Sequence, residues 1–588
     1  MAFDGIVTRA IISELNKVLI GAKVNKVLEP NKNEIVLEVY NNGEKYFLEL
    51  SINPESCRIG LTSFLKANPQ NAYNFCMLLR KYLVGTRIIS ITNYDLERTV
   101  EIKFEGYNEL NDLVKRKLYI EIMSRQSNII LTNEKEIIID TLKHLDSGNR
   151  ALLPAHPFTY TPINKVSFID IENFEEFYEL VEESGENSIT RKLPEIFIGF
   201  SKTFVRNILN KLEVDDETYS IEELEKIYDY LKDLISKIDS NEIYCVDFGK
   251  DYTVEIGNKN DDLQINKFID KYYYYKEQNL VFNNSKNNLL RIISSSLKKV
   301  YKKLENINQK LKECENMEQY KIFGELLIAN LYRLENDKNL SEVELFNYYT
   351  NENTIIKLDS TISVSKNVDR FFKKYNKLKN TLEIVTQQKI ETMKEIDYIE
   401  SIIYSIDSAK SMSDIDEIYS EVSENLVIKK ENKSKSNESK QSPDNIPDPI
   451  EIMGYKVYVG KNNIQNSNLS LKFARPNDIW FHAQKIHGSH VLLRIENLND
   501  DVPEEVLYEC AKLAMKNSKA KNATNVAVDY CEAKFVKRAA NGKPGMVNYT
   551  NFGTIIVKND WFENRKTCIL WNSKNYQKIK IILAYKFL

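Results

Sequence analysis

Three of the chain's five histidines fall within nine residues, at His482, His487 and His490. Closely spaced imidazoles are first a question of metal binding. Structural zinc sites need four ligands, and H-x4-H-x2-H here has no thiolate or carboxylate partner at a standard spacing. On a strand, His482 and His490 share a parity and His487 faces the other way. No metal site is therefore expected, and RNA contact or packing remain as the alternatives. The same stretch, from Gly454 to Arg494, carries the run Lys461-Asn462-Asn463, further cations at Lys472, Arg475 and Lys485, and the aromatic pair Trp480-Phe481. Amides, cations and rings on short strands suit a surface that follows RNA shape and backbone. They also suit a polar strand–loop–strand in a small α/β domain. A second candidate is Asp95-Leu96-Glu97-Arg98. Here Arg98 could hold a phosphate or a base edge with two donors, oriented by Glu97. An exposed ion pair contributing about 0–1 kcal/mol explains the same residues.

No nucleophile–base–orienter set, phosphate-cradling glycine loop or dinucleotide fingerprint accompanies these candidates. Neither catalysis by the chain itself nor a cofactor is expected. The seven cysteines (Cys57, Cys76, Cys245, Cys314, Cys510, Cys531, Cys568) form no CxxC pair, and an odd, scattered set argues against a disulfide framework. The start, MAFDGIVTRAIISELNKVL, lacks a basic region, an apolar run and a small-residue cleavage site. No apolar run approaches the roughly 20 residues that span a bilayer. A cytosolic protein without a membrane partner is expected.

The elements that must position the candidates follow from periodicity. Residues 1–20 read as a helix with Ile6, Ile11, Ile12, Leu15 and Leu19 on one face, stopped at Gly21. Alternating strands follow near Val24–Val27, Ile35–Val39, Tyr46–Leu50, Arg87–Thr92, Thr99–Phe104, Leu118–Met123 and Asn128–Thr132, interrupted by a helix over Phe75–Leu83. Residues of about 180–260 read as a helical module, with Gly199 turning between two helical runs in Leu193–Ser201. Such a pair can present backbone N–H groups to a phosphate or be a plain αα-hairpin. Leu290, Ile293, Leu297, Val300, Leu304, Ile307 and Leu311 make a heptad seam. A second runs through Phe371, Tyr375, Leu378, Leu382 and Val385, and less regularly through Met393, Ile396, Ile399 and Ile403. The two seams predict an antiparallel coiled-coil arm, with Tyr320–Lys366 as its tip, rather than a dimerising coil. About 40 helical residues reach roughly 60 Å. Residues 429–448 have a linker's composition, and Trp561–Leu588 carries Lys-rich, β-like segments.

Charge is unevenly distributed. Residues 451–588 hold 21 Lys+Arg against 12 Asp+Glu, an excess of nine. With a net charge of −4 for all 588 residues, the remainder carries −13. A basic module on an acidic body predicts one local polyanion site.

The ordered run VGKNNIQN…DIWFHAQKIHGSHV, continued by Ala511–Ala514, Ser518-Lys519-Ala520, Val528-Asp529-Tyr530, Phe535–Arg538 and Gly542–Gly545, resembles the RNA-binding module of the RqcH/NEMF (NFACT; FbpA-like "fibronectin-binding") family, bacterial RqcH type. The family more often has proline at the position of His487. Phe3-Asp4-Gly5, FCMLLRKYL, YIEIMSRQSNIIL and the Glu97-Arg98 pair, usually Asp-Arg, resemble its N-terminal domain. Ser124 and Gln126 stand where glycine and histidine are common.

The resemblance implies a multidomain α+β fold. Its parts are an N-terminal mixed α/β domain (1–175) on a DNA-glycosylase-like scaffold, a helix-hairpin-helix-like domain (176–270), a coiled-coil arm (280–425) with a tip near 320–366, a linker (426–449) and a small α/β RNA-binding domain (450–588). Glycosylase chemistry is not expected, because the Met1-Ala2-Phe3 start lacks the N-terminal proline amine and its acidic neighbour. The implied work is ribosome-associated quality control. The protein would bind large (50S) subunits, rRNA and proteins, obstructed by a stalled peptidyl-tRNA, recruit alanyl-tRNA, and direct mRNA-independent alanine tailing that marks the peptide for degradation. The ribosome would make the bonds, and a small RNA-binding accessory factor is an implied partner. The implied tRNA contacts are Glu97, Arg98, Glu121, Ile122, Met123, Arg125 and Asn128, although Ile122 and Met123 also fit ordinary strand packing. The implied RNA contacts of the C-terminal module are Lys461, Asn462, Asn463, Asn466, Trp480, His482, Gly488, Ser489, His490 and Lys543. A fibronectin-binding surface adhesin and a DNA-processing enzyme are the alternatives from other classes.

Overall fold

The computed structural model describes residues 3–558 apart from 109, 148–149, 163, 259–260, 262, 335–339, 426–445, 497–501 and 541. Most of the expected linker and all of Trp561–Leu588 thus lie outside the described residues. The chain divides into two compact units, Met1–Leu280 and Val281–Leu588.

The first unit opens with α1 (Gly5–Leu19), whose start is fixed by the Asp4 carboxylate accepting the Val7 N–H at 3.0 Å. Its apolar face, including Ile6, Ile11, Leu15 and Leu19, is fully buried, and Gly21 follows at φ +83°, where a side chain would be strained. Nine antiparallel strands form one sheet: β1 (Lys23–Asn31), β2 (Glu34–Asn41), β3 (Glu44–Ser51), β4 (Arg58–Leu61), β5 (Arg87–Asn93), β6 (Thr99–Tyr107), β7 (Leu113–Glu121), β8 (Asn128–Asn133) and β9 (Ile138–Thr141), in the order 4-3-2-1-5-6-7-8-9. The β2–β3 turn is Asn42-Gly43, both at positive φ, as a two-residue hairpin turn requires. The helix α2 (Asn74–Leu83) lies between β4 and β5. Strand β7 ends at Glu121, so Ile122 and Met123, expected in the strand, begin a loop.

A small hairpin, β10 (Leu145–Ser147) and β11 (Arg150–Leu152), leads to the helices α3 (Phe174–Glu183), α4 (Ile189–Ile196), α5 (Lys202–Leu212) and α6 (Ile221–Ser240). The expected all-helical stretch then gives way to a hairpin, β12 (Ile243–Asp247) and β13 (Tyr252–Ile256). β12 is a short apolar run, β13 alternates apolar with polar residues, and Gly249 turns between them at φ +78°. Sheet and helices share one continuous core. The long helix α7 (Gln264–Glu315) begins inside this unit. Both Glu14 oxygens accept its first backbone N–H groups, from Ile265 and Asn266, at 2.9 and 2.8 Å. The Asn266 amide pairs with the backbone of Leu61 on β4.

In the second unit α7 continues and is followed by α8 (Met317–Ala329), α9 (Leu331–Leu334), the hairpin β14 (Glu342–Asn347) and β15 (Glu352–Lys357), then α10 (Val364–Ser408) and α11 (Met412–Asn425). The two heptad seams meet: Ile293, Leu297 and Val300 pack with Ile396, Ile399 and Ile403. Polar contacts between Lys286 and Asp407, Tyr301 and Glu400, and Lys303 and Glu395 fix an antiparallel direction. The segment between the helices has its own core of Leu326, Leu327, Leu345, Ile356 and Val364.

The C-terminal module is a six-stranded sheet ordered 16-17-19-18-20-23. Its strands are β16 (Ile450–Ile452), β17 (Tyr455–Val459), β18 (Ile479–Ala483), β19 (Val491–Leu493), β20 (Asn525–Glu532) and β23 (Gly553–Lys558). On one face α13 (Glu504–Lys516) packs over Phe481, Ala483 and Val528. On the other, α12 (Asn463–Asn468), a π-turn (Leu469–Phe473) and the hairpin β21 (Val536–Arg538) and β22 (Val547–Tyr549) cover Trp480, Leu492 and Cys531. The polar segment expected to be irregular is therefore helical. Asn462 caps it, accepting the Gln465 N–H at 2.8 Å.

Candidate nucleic-acid interfaces

In the first unit, backbone crowding positions Arg98. The Gly5 N–H donates to Gly199 O at 2.9 Å, and a Cβ on Gly5 would stand 1.8 Å from Leu96 O. Gly199, at φ +81°, packs against the same carbonyl. Two glycines thus let α1, the α4–α5 turn and the segment before β6 meet at backbone distance. There they frame a cleft of about 340 Å³ lined by Asp4, Arg98, Lys165, Ser201, Lys202 and Thr203, among others. Ser201 caps α5, accepting the Phe204 N–H at 3.1 Å, and its hydroxyl donates to Asp4 at 2.6 Å. Burial pushes the Asp4 carboxyl up to about 6, against the bonds from Ser201 and Val7 and the charge of Arg98. The cleft joins three cations and the N-terminus of an eleven-residue helix, an arrangement that favours anions.

The other expected tRNA contacts differ in placement. Glu97 is 6% exposed, and one of its oxygens has no hydrogen-bond partner among the described residues. Burial, then the charges of Asp95 and Glu121, raise its pKa. Glu121 is 1% exposed and held by Arg150, which reaches its second oxygen at 3.1 Å and also binds Thr159 O and the Thr161 hydroxyl. Ile122 is fully buried, and its N–H donates to Arg98 O at 3.0 Å, fixing the backbone that carries the guanidinium. The Met123 N–H donates to the Ser127 hydroxyl at 2.8 Å, and the side chain is half-buried. Ser124, standing where glycine is common, adopts φ +56°. Arg125 is exposed on the turn that follows. The Asn128 amide is fully buried, bonding the Lys143 N–H at 2.9 Å and carbonyl at 2.8 Å. Arg98 and Arg125 therefore present side chains, whereas Glu121, Ile122 and Asn128 hold the loops in place. Lys165 and Lys202 were missed, since they lie far from Arg98 in sequence. Asp4 was legible only as part of Phe3-Asp4-Gly5.

In the C-terminal module the motif residues face inward. Trp480 is fully buried, donating from Nε1 to the Ser470 hydroxyl at 2.9 Å. His482 stacks on Trp480 and meets His490 edge-on. Burial first, and then neighbouring imidazole, hold His482 down at about 4 and His490 well below its usual range, so both are neutral at pH 7. His487 faces elsewhere, 3.6 Å from Glu400. No group of three or more His, Cys, Asp or Glu among the described residues is arranged to hold a metal ion. Gly488 bridges to Ser518, where a Cβ would meet the Ser518 Cβ at 2.9 Å, and the Ser489 N–H donates to Asn517 O at 2.8 Å. Asn466 fills the place a Gly460 side chain would need and accepts the His490 N–H at 3.0 Å.

Lys461, Asn462, Asn463 and Lys543 dock on α10 and α11. Lys461 lies 3.6 Å from Asp414. Asn462 donates to Glu417 at 2.7 Å, and Gln465 donates to the same oxygen at 2.9 Å. Asn463 donates to Glu421 at 3.0 Å and to the Ser401 hydroxyl at 2.9 Å. Lys543 donates to Asn425 O at 3.3 Å and lies 4.8 Å from the centre of the Tyr398 ring. The expected RNA readers thus clasp the module to the base of the coiled coil.

Two family models match nearly the whole described chain: the NFACT N-terminal and middle domains over residues 4–441 and the NFACT protein RNA binding domain over residues 450–551. The chain belongs to the RqcH/NEMF (NFACT) family. This places it among RNA-binding proteins of ribosome quality control. Relatives of this NFACT protein include the Rqc2 homolog RqcH of Bacillus subtilis, 30% identical over 95% of this chain and 98% of that one. The Rqc2 homolog RqcH of Streptococcus suis is 31% identical with the same coverage. Among solved structures, the N-terminal part of the fibronectin/fibrinogen-binding protein from Streptococcus suis is 26% identical with a TM-score of 0.39, covering 46% of this chain and 99% of that one. No helix among the described residues of this NFACT protein is long and apolar enough to cross a membrane.

Proposed function

We propose that this protein binds large ribosomal subunits obstructed by peptidyl-tRNA, recruits alanyl-tRNA, and directs mRNA-independent alanine tailing of the stalled chain. The observation that carries the tRNA part is the cleft at Arg98, where Lys165, Lys202 and the α5 N-terminus surround one guanidinium. Such a set suits a phosphate oxygen or a base edge of tRNA. Arg98 and Arg125 contact tRNA in this reading, and Glu97, Glu121, Ile122, Met123 and Asn128 keep them in register. The α4–α5 pair acts as a helix-hairpin-helix, and the N-terminal sheet keeps a glycosylase-like scaffold without its chemistry. The ribosomal peptidyl-transferase centre makes the bonds, and the protein contributes by positioning.

Alanine incorporation on purified obstructed large subunits tests this. A charge-assisted contact contributes roughly 1.5–3 kcal/mol, so Arg98→Ala should lower tailing by about tenfold or more. Subunit binding, followed by sedimentation, should persist. Unchanged tailing removes the cleft from the mechanism, and a wild-type protein that sediments free of obstructed subunits removes the function.

A further inference from the structure

If the motif cations of the C-terminal module face carboxylates and carbonyls of α10 and α11, the RNA must be met elsewhere on the module. Lys461 has Asp414, Lys519 has Glu400 at 3.4 Å, and Lys543 has Asn425 O. Other cations gather where three segments adjoin. The π-turn and the loop after it expose Lys472 and Arg475. Strand β21 lies against that turn and exposes Lys537 and Arg538. Between them, Lys534 is exposed, and its backbone N–H donates to Pro476 O at 3.2 Å. Beneath, Leu469, Phe473, Phe535 and Val536 belong to one small core, which fixes the segments relative to one another.

Carboxylates offset only part of this charge. Lys472, Arg475, Lys537 and Arg538 make no ion pair with another described residue, although Arg475 lies near enough to Glu496 to help lower its pKa, while Lys534 has the half-buried Glu532 at 2.6 Å. Asp478 is fully buried and held by Arg494 at 2.8 Å. The rings here are covered: Phe473 lies under the Arg494 guanidinium, 4.2 Å away, and Phe535 under Lys534 at 5.0 Å. Phe552, an exposed ring, stands edge-on to Tyr549 rather than in a row. Single-stranded RNA is held by successive open rings on which bases stack. Cations without such a row suit the phosphates of a helix, which proteins follow by shape.

We infer that Lys472, Arg475, Lys534, Lys537 and Arg538 form the RNA-gripping face of the module, and that its ligand is the phosphate backbone of duplex, A-form RNA. The inference rests on the reading of residues 450–551 as RNA-binding. The full chain is titrated by fluorescence anisotropy with a labelled RNA duplex of about 16 base pairs and with a single-stranded oligouridine, across a salt series. Each phosphate contact contributes roughly 0.7–0.9 to the slope of log affinity on log salt. Lys472→Ala, Arg475→Ala, Lys537→Ala and Arg538→Ala combined should flatten the slope by about 3 and weaken duplex binding by about tenfold or more at moderate salt. Exposed substitutions of this kind leave the fold intact, which circular dichroism checks. Phe552→Ala should bind as the wild type does. An undiminished affinity in the fourfold variant overturns the face. Tighter binding of oligouridine than of duplex overturns the ligand while leaving RNA binding intact. A wild-type chain that binds neither RNA overturns the underlying reading.

Discussion

Replacing Glu421 with glutamine should stabilise the clasp above neutral pH and do little below pH 5. The Glu421 carboxyl is fully buried on α11. One oxygen accepts from Asn463 at 3.0 Å and Tyr398 at 2.9 Å, and the other has no hydrogen-bond partner among the described residues. The other groups around it are the Ser401 hydroxyl on α10, the Lys543 ammonium over the Tyr398 ring, and Glu424 on α11. Burial raises its pKa from 4.5 to about 7, the Asn463 and Tyr398 bonds oppose the shift, and Glu424 adds to it. The folded state therefore binds the proton more tightly than the unfolded state. Stability from this group is present below about pH 4.5 and falls as pH rises through 7. A shift of this size corresponds to about 3 kcal/mol at pH 8. Glutamine keeps the accepting oxygen for Asn463 and Tyr398 and cannot ionise. The assay is hydrogen exchange of the α11 amides from Ile415 to Val422, converted to opening free energies at pH 5 and pH 8. The variant should exceed wild type by about 3 kcal/mol at pH 8 and by under about 1 kcal/mol at pH 5. An equal difference at both pH values, or none at pH 8, refutes the claim that the clasp contains a strained carboxylate.

Two further outcomes follow from the first unit. Asn128→Ala leaves the half-buried Lys143 N–H without its acceptor, while the Lys143 carbonyl keeps the Thr141 hydroxyl, and should cost about 1–3 kcal/mol in urea unfolding of that unit. Gly5→Ala places a methyl group where Leu96 O and the Gly199 Cα already stand, so its thermal midpoint should fall and tailing should drop with it.

Much of the fold was legible because its signals are local. The heptad spacing of Leu290–Leu311 and the alternation in Ile35–Val39 and Tyr46–Leu50 each name their structure within a few residues. The β12–β13 hairpin was missed because its two five-residue strands sit after the long helix α6 and lack a Pro or Asn-Gly boundary. The helix at Asn463–Asn468 was missed because four of its six residues are Asn or Ser, which favour caps and turns over helix interiors. What makes that helix is tertiary: Asn462 caps it, and α10 and α11 supply the carboxylate and hydroxyl acceptors. For the same reason the site was only half legible. Arg98 announces itself beside an acid, but Lys165 and Lys202 join it only because two glycines let separate backbones touch.

The charge asymmetry of the sequence gains a physical account once the clasp is known. A module with nine excess positive charges packs against helices carrying Asp414, Glu417, Glu421 and Glu400, each contacting it directly. Asp414 and Glu400 neutralise the inner cations Lys461 and Lys519 and leave the outer ones to dominate the surface field. Motif residues can therefore be essential to RNA binding without touching RNA, by setting which face of the module remains positive. The distinction is measurable: a residue of the clasp changes the stability of α11, whereas a residue of the outer face changes the salt dependence of binding.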